Sequence, residues 1–187
     1  MYEYKCKIVK IVDGDTVDID LDLGFGVWLR DERVRIMGID TPESRTTDKI
    51  EKIFGLAAKD RLNSLLGGEA ILLSQVTKGG ENMKGKFGRI LGNFKTINGD
   101  NVADILMNEG HAVAYNGGDK DNVQMQHFAN RQKLIDEGKV PTPEGMSKVK
   151  GAFNEFKATK PPLKKKKNKK KKQKRIILMR RIDMKRS

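Results

Sequence analysis

Hydrophobic and polar positions alternate from the start of the chain. Residues 2–12 read as a strand, with Cys6, Ile8 and Val12 on a buried side and lysines between them. Asp13-Gly14 is a hairpin signal. Residues 15–22, D-T-V-D-I-D-L-D, alternate without a break. Val17, Ile19 and Leu21 point inward, and Asp18, Asp20 and Asp22 outward as a solvated face. Gly24 and Gly26 open a second turn, and 27–39 reads as a third strand that ends on Asp40. The period then changes. From Ile50 to Leu66, Phe54, Ala58, Leu62 and Leu65 or Leu66 share one helical face, and Gly67-Gly68 ends it. Residues 70–76 and 88–96 predict two more strands, joined by a Lys/Gly loop at 78–87. Asn98-Gly99 turns the chain into a short helix at 101–109, closed by Gly110. Residues 111–115 are extended, and 122–137 predict a third helix with His127 on its flank.

Five short strands around one core predict an OB-fold five-stranded Greek-key β-barrel with about three helices. Beyond Pro141 and Pro143 the pattern fades. From Lys157 the chain carries Pro161-Pro162 and two blocks of four lysines. Like charges at that density repel and bury nothing, so a folded domain over 1–156 and a disordered lysine-rich tail over 157–187 are expected.

Charge sharpens that division. Of the 38 Lys and Arg, 16 lie in residues 157–187 against one acid, Asp183, a net +15; the other 22 face 24 Asp and Glu in residues 1–156, a net −2. The basic character therefore belongs to the tail, which is expected to bind polyanions. No apolar run approaches the roughly 18 residues of a transmembrane helix. The alternating start M-Y-E-Y-K-C-K has no apolar leader core, which predicts an intracellular, cytoplasmic protein. The single cysteine, Cys6, excludes an internal disulfide and a thiolate zinc cluster and reads as a small core residue. His111 and His127 are too far apart for a helical metal pair.

The candidate chemistry gathers where the third strand ends, in V-R-I-M-G-I-D-T-P-E-S. Asp40 and Asp15 come from different strand ends that a five-stranded barrel can set side by side. With the backbone carbonyl of Thr41 they make a hard, all-oxygen site suited to Ca²⁺ or Mg²⁺ and not to zinc. Asp13-Gly14-Asp15-Thr16 also reads as an ordinary solvated turn. Pro42 fixes a turn that can hold Glu43 near such a metal, although Asp/Thr-Pro-Glu also reads as a helix start. Arg35 lies on the strand leading to Asp40, and Arg89 sits in K-F-G-R after the Lys/Gly loop. Each guanidinium can grip a phosphate bidentately. Two arginines, two aspartates and a glutamate form a kit for phosphodiester hydrolysis.

These three stretches, Asp13–Thr16, Val34–Glu43 and Lys86–Arg89, occur in order across residues 2–137, and the chain resembles the staphylococcal nuclease (thermonuclease) family. The resemblance implies an OB-barrel with three helices and a Ca²⁺-dependent endonuclease acting on DNA and RNA. It implies calcium held by Asp15, Asp40 and the Thr41 carbonyl, and Glu43 as general base or water-positioning group. Arg35 and Arg89 would bind phosphate and stabilise the pentacoordinate transition state. Lys86 and Tyr115 match positions that contact substrate. Cleavage would leave 3′-phosphate and 5′-hydroxyl ends, by a protein expected to act as a monomer. Phe87 departs from the tyrosine of the best-known member, the link L-G-F-G-V-W-L-R-D-E-R is long, and the chain differs after Gly138. In that link Trp28 is expected to pack on the barrel. A non-catalytic module of the same fold, binding nucleic acid or protein with its polycationic tail, is the alternative.

Overall fold

The computed structural model describes residues 2–75, 88–117 and 120–144. Lys86, Phe87 and the lysine-rich tail lie outside them. Strands β1 (Tyr2–Asp13), β2 (Thr16–Asp22), β3 (Trp28–Ile36), β5 (Glu69–Ser74) and β6 (Ile90–Lys95) close a barrel in the order β1-β2-β3-β6-β5. Every pairing is antiparallel except β3 with β6, which is parallel. This is the mixed five-stranded barrel that the alternation predicts. Two-residue strands β4 (Ile39–Asp40) and β7 (Val113–Ala114) pair beside it. Helices are α1 (Lys49–Leu66), α2 (Val102–Glu109) and α3 (Lys120–Asp136). Among the described residues no helix is long and apolar enough to cross a membrane.

Inward positions of the strands fill the barrel. Val17, Ile19, Val34, Leu72 and Phe94 are fully buried. Leu62 and Leu66 of α1 and Val102 and Leu106 of α2 join the same core. Asp48 caps α1 by accepting from the Ile50 and Glu51 amides at 2.8 and 3.1 Å. Asn101 caps α2 through the Ala103 amide at 3.0 Å. Such caps satisfy helix donors that would otherwise lack partners.

Two departures from the alternation each have a local cause. The register of β1 on β2 slips between Ile8 and Lys10, so Val9 is exposed and Ile11 turns inward, into the same core as Cys6. The strand expected over 27–39 stops at Ile36, because Gly38 turns the backbone at φ 78° and sends Ile39–Asp40 to pair with β7. The turn expected at Gly24 and Gly26 is present as a hairpin in which the Leu23 amide donates to the Val27 carbonyl, with Trp28 in β3. Trp28 is half-buried and lies between cations, Lys7 Nζ at 5.2 Å and Arg30 Cζ at 5.1 Å from its ring centre.

The outward aspartates of β2 are also less solvated than expected. Arg33 of β3 donates to both oxygens of Asp18, at 2.6 and 2.8 Å, and Arg30 pairs with Asp20. Both carboxylates are only about 15% exposed, at 15% and 16%.

Helix α1 approaches the 41–45 segment through Gly55. A Cβ there would lie 2.5 Å from the Glu43 carbonyl carbon and 2.6 Å from the Ser44 nitrogen. Alanine in a helix is favoured over glycine by about 1 kcal/mol. Overpacking against backbone costs about 1–3 kcal/mol. The second effect wins, so Gly55→Ala is expected to destabilise the protein. Urea unfolding checks this: the midpoint falls at unchanged slope. A midpoint at or above that of the parent would show that α1 can move away freely.

Candidate active site

The site is assembled by the last residue of β1. The buried Asp13 carboxylate accepts from the Gly14 amide at 3.0 Å and from the Ser44 amide at 3.2 Å. One side chain thereby fixes the β1–β2 turn to the segment that follows β4. Gly14 lies in the contact, since a Cβ there would come within 2.8 Å of Thr41 Oγ1 and 3.0 Å of Ala58 Cβ. The Asp15 carbonyl accepts from the Ile36 amide at 2.9 Å, tying the same turn to the end of β3. On the α1 side, Glu51 Oε1 accepts from the Glu43 amide at 3.4 Å.

These ties bring three predicted residues together. Arg35 Nη1 lies 2.5 Å from Asp15 Oδ2, and its Nη2 lies 3.6 Å from Asp40 Oδ1. Thr16 Oγ1 donates to Asp15 Oδ1 at 2.8 Å. A cleft of about 450 Å³ opens beside Asp15 and Arg35, lined by Asp13, Asp15, Arg35, Glu43, Arg45 and Arg89 among others, while Asp40 and Thr41 lie outside its lining. Thr41 is buried beside Gly14. Tyr115 is half-buried, and its amide donates to the Gly38 carbonyl at 2.8 Å, which holds the β3–β4 corner.

The acids crowd one another. Burial pushes the Asp15 carboxyl above its ordinary range; Arg35 and Thr16 oppose the shift, while Asp40 and Asp13 add to it. Partial burial raises Glu43 too, followed by the charges of Asp13 and Asp15, a side-chain hydrogen bond with Asp13, and the charge of Asp40. No cluster of three or more His, Cys, Asp or Glu that could hold a metal stands ready among the described residues. Asp15 and Asp40 instead share the Arg35 guanidinium. The donor set is still all oxygen, and the Asp15 carboxyl, raised first by burial and further by its acidic neighbours, gives it the character that suits a hard divalent cation.

Sequence reasoning missed three members of this neighbourhood. Asp13 reads as a turn residue, and its grip on Ser44, 31 positions away, leaves no local mark. His127 was placed on a helix flank, yet it is buried with Nε2 3.0 Å from Asp40 Oδ2. Arg45 at the cleft follows directly on the T-P-E-S motif, so its position was the only available signal.

A larger cleft of about 650 Å³ lies elsewhere, against α1 and residues 139–141. It contains none of the predicted site residues. Its Arg61 is committed to both oxygens of Glu109, at 2.6 and 2.7 Å. The chemistry therefore points to the smaller cleft.

A family model described as staphylococcal nuclease homologue matches residues 33–140. That span includes Arg35, Asp40, Thr41, Glu43, Lys86, Arg89 and Tyr115, and begins after Asp15. The chain is 31% identical over 119 residues to Endonuclease YhcR of Bacillus subtilis (strain 168), covering 60% of this chain but 9% of that protein. It is 27% identical over 129 residues to an uncharacterized endonuclease of Escherichia coli, covering 68% of this chain and 72% of that one. A protein of the same description from Escherichia coli O157:H7 is 26% identical over 129 residues, with the same coverage of 68% and 72%.

The crowding of the acids has a pH signature. A carboxyl whose folded pKa is raised stabilises the fold only where it stays protonated. Stability is lost as pH rises from the unfolded pKa, near 4.3 for glutamate, to the raised folded value. Glu43→Gln is therefore expected to unfold at higher urea than the parent at pH 7 to 8 in chelator, with the advantage shrinking as pH falls toward 4. A pH-independent difference would mean that Glu43 does not feel its acidic neighbours.

Proposed function

The chain belongs to the staphylococcal nuclease homologue family, and from that premise we propose that it is a calcium-dependent endonuclease that hydrolyses phosphodiester bonds of DNA and RNA, leaving 3′-phosphate and 5′-hydroxyl ends. The observation that carries this reading is the Arg35 guanidinium lying between Asp15 and Asp40 on the cleft it shares with Glu43 and Arg89. Cationic donors and a crowded carboxylate on one cleft suit a reaction that builds negative charge on phosphorus.

In this proposal Asp15, Asp40 and the Thr41 carbonyl hold the calcium ion. When bound, the ion would polarise a phosphate oxygen and offset the charge of the acids. Glu43 takes a proton from the attacking water. Its pKa, raised first by partial burial and then by the charges of Asp13 and Asp15, makes it a stronger base than a free glutamate. The water oxygen bonds to phosphorus as the bond to the 5′ oxygen breaks, and that oxygen leaves with a proton from solvent. Arg35 and Arg89 donate to the equatorial oxygens, where charge is greatest in the transition state. Arg35 is 25% exposed, which would let its guanidinium reach a phosphate bound in the cleft. Lys86 and Tyr115 are assigned to substrate contact, and the protein to action as a monomer.

Plasmid and single-stranded RNA digestion with Ca²⁺, Mg²⁺ and excess chelator tests the reading directly. Cleavage with Ca²⁺ and none with chelator is expected, and full activity in chelator overturns it. Binding without cleavage under every condition would favour the non-catalytic module. Arg35→Ala and Arg89→Ala should each lower kcat by about 10²–10³, the usual cost of one charge-assisted donor in such a site. If each changes kcat/KM by less than about threefold, the clamp is misassigned.

The domain of residues 1–156 carries a net −2, so long-range attraction to a polyanion must come from elsewhere. We assign it to residues 157–187, at net +15. Engagement of 6–10 phosphates would make affinity fall by roughly 10³–10⁵ between 50 and 200 mM salt. Deleting 157–187 should raise KM and flatten the salt dependence, with kcat within a few-fold. Equal DNA affinities and salt slopes for full-length and 1–156 protein, measured without calcium, would move the tail to another role.

A further inference from the structure

Asp40 is held from two sides. Its Oδ1 faces Arg35 at 3.6 Å, and its Oδ2 faces His127 Nε2 at 3.0 Å. A carboxylate can only accept, so the imidazole donates from Nε2. His127 is 6% exposed and comes from α3, 87 residues beyond its partner. The helix itself is anchored at this place. Asn130 donates to the Ala112 carbonyl at 3.2 Å, next to β7, and β7 pairs with the strand that carries Asp40. Arg131, one turn after His127, stacks on Phe54 of α1 with its Cζ 5.4 Å from the ring centre. The imidazole is thus fixed by its backbone and directed at one oxygen of one acid.

We infer that His127 is a positioning residue for the metal site: by occupying Asp40 Oδ2 it fixes the carboxylate so that Oδ1 alone is offered on the side of Asp15. The inference rests on the assignment of Asp40 as a calcium ligand. Its warrant is general. A metal-binding carboxylate that is free to rotate must be ordered when the ion binds, and an outer hydrogen-bond partner removes that cost in advance. Loss of such a partner typically weakens metal affinity by about 10–100-fold. No proton is transferred in this role.

The geometry selects the test. Glutamine places its Nε2 the same number of bonds from the backbone as the histidine Nε2, whereas asparagine falls one bond short. Ca²⁺ binding to full-length parent, His127→Gln, His127→Asn and His127→Ala is measured by calorimetry, with thermal unfolding of each in chelator as the record of folding. The expected result is Ca²⁺ affinity within about threefold of the parent for glutamine, and about tenfold or more weaker for asparagine and alanine. At saturating Ca²⁺, kcat should recover in all three, since the chemical groups are intact. Parent-like affinity in the alanine variant overturns the inference. So does equal loss in all three, which would mark His127 as a packing residue only. A parent protein that binds no Ca²⁺ removes the metal assignment itself, and the inference with it.

Discussion

One carboxylate, that of Asp13, connects the parts of this structure on which the site depends. It accepts from Gly14 in its own turn and from Ser44 beyond β4. A buried carboxylate without donors would be costly, and two amides from two segments satisfy it. That requirement allows only one relation between the β1–β2 turn and the residues after Asp40. Two glycines let the surfaces close. Gly14 admits Thr41, and Gly55 admits the Glu43–Ser44 backbone. Gly14 has no positive φ, so its role is close approach and not turn conformation. Asp15, Asp40 and Glu43 become neighbours because of this closure, although no two of them share a strand.

Bringing the acids together works against stability. Burial and mutual repulsion raise the pKa values of Asp15 and Glu43, which means that the folded chain holds their charged forms less readily than the unfolded chain does. Arg35 offsets part of this by bridging Asp15 and Asp40. Strain of this electrostatic kind is common where function sets the arrangement.

Most of the barrel was legible because its signal is local. Val17, Ile19 and Leu21 alternate with aspartates, and burial follows the alternation residue by residue. Helix α1 shows its buried face in Phe54, Ala58, Leu62 and Leu66 at helical spacing. Arg35, Asp15 and Asp40 were legible as a set, through their residue types and the resemblance those motifs carry, and the structure places them in contact. What was hidden is non-local. The bulge in β1 follows from pairing, and no residue type announces it. The break of the third strand was marked by Gly38, but a glycine between Met37 and Ile39 reads equally well as a strand residue under a close contact. His127 could not be found, because α3 has mixed polarity all round and a buried polar face leaves no apolar stripe. Only the fold shows that the buried stripe of α3 is His127, Arg131 and Leu134, with its first member on Asp40.

The ion pairs on the outer face of β2 and β3 complete the electrostatic picture. Exposed pairs of this kind contribute roughly 0–1 kcal/mol each, so stability is a weak reason for them. Their placement suggests a different consequence. Arg33 lies on the wall of the cleft, and it is bound to Asp18 on the adjacent strand. Asp18 and Asp20, mostly covered, would present unbalanced negative charge a few residues from the cleft if Arg33 and Arg30 were neutral. Pairing cancels that field locally without adding a large positive one. The pairing of Arg33 leaves Arg35, Arg45 and Arg89 as the other arginines lining the cleft, beside Asp13, Asp15, Asp31 and Glu43. In the proposed reading, a wall that neither repels nor captures a polyanion would let the geometry of those arginines, and not the bulk charge of the barrel, decide where a phosphate comes to rest.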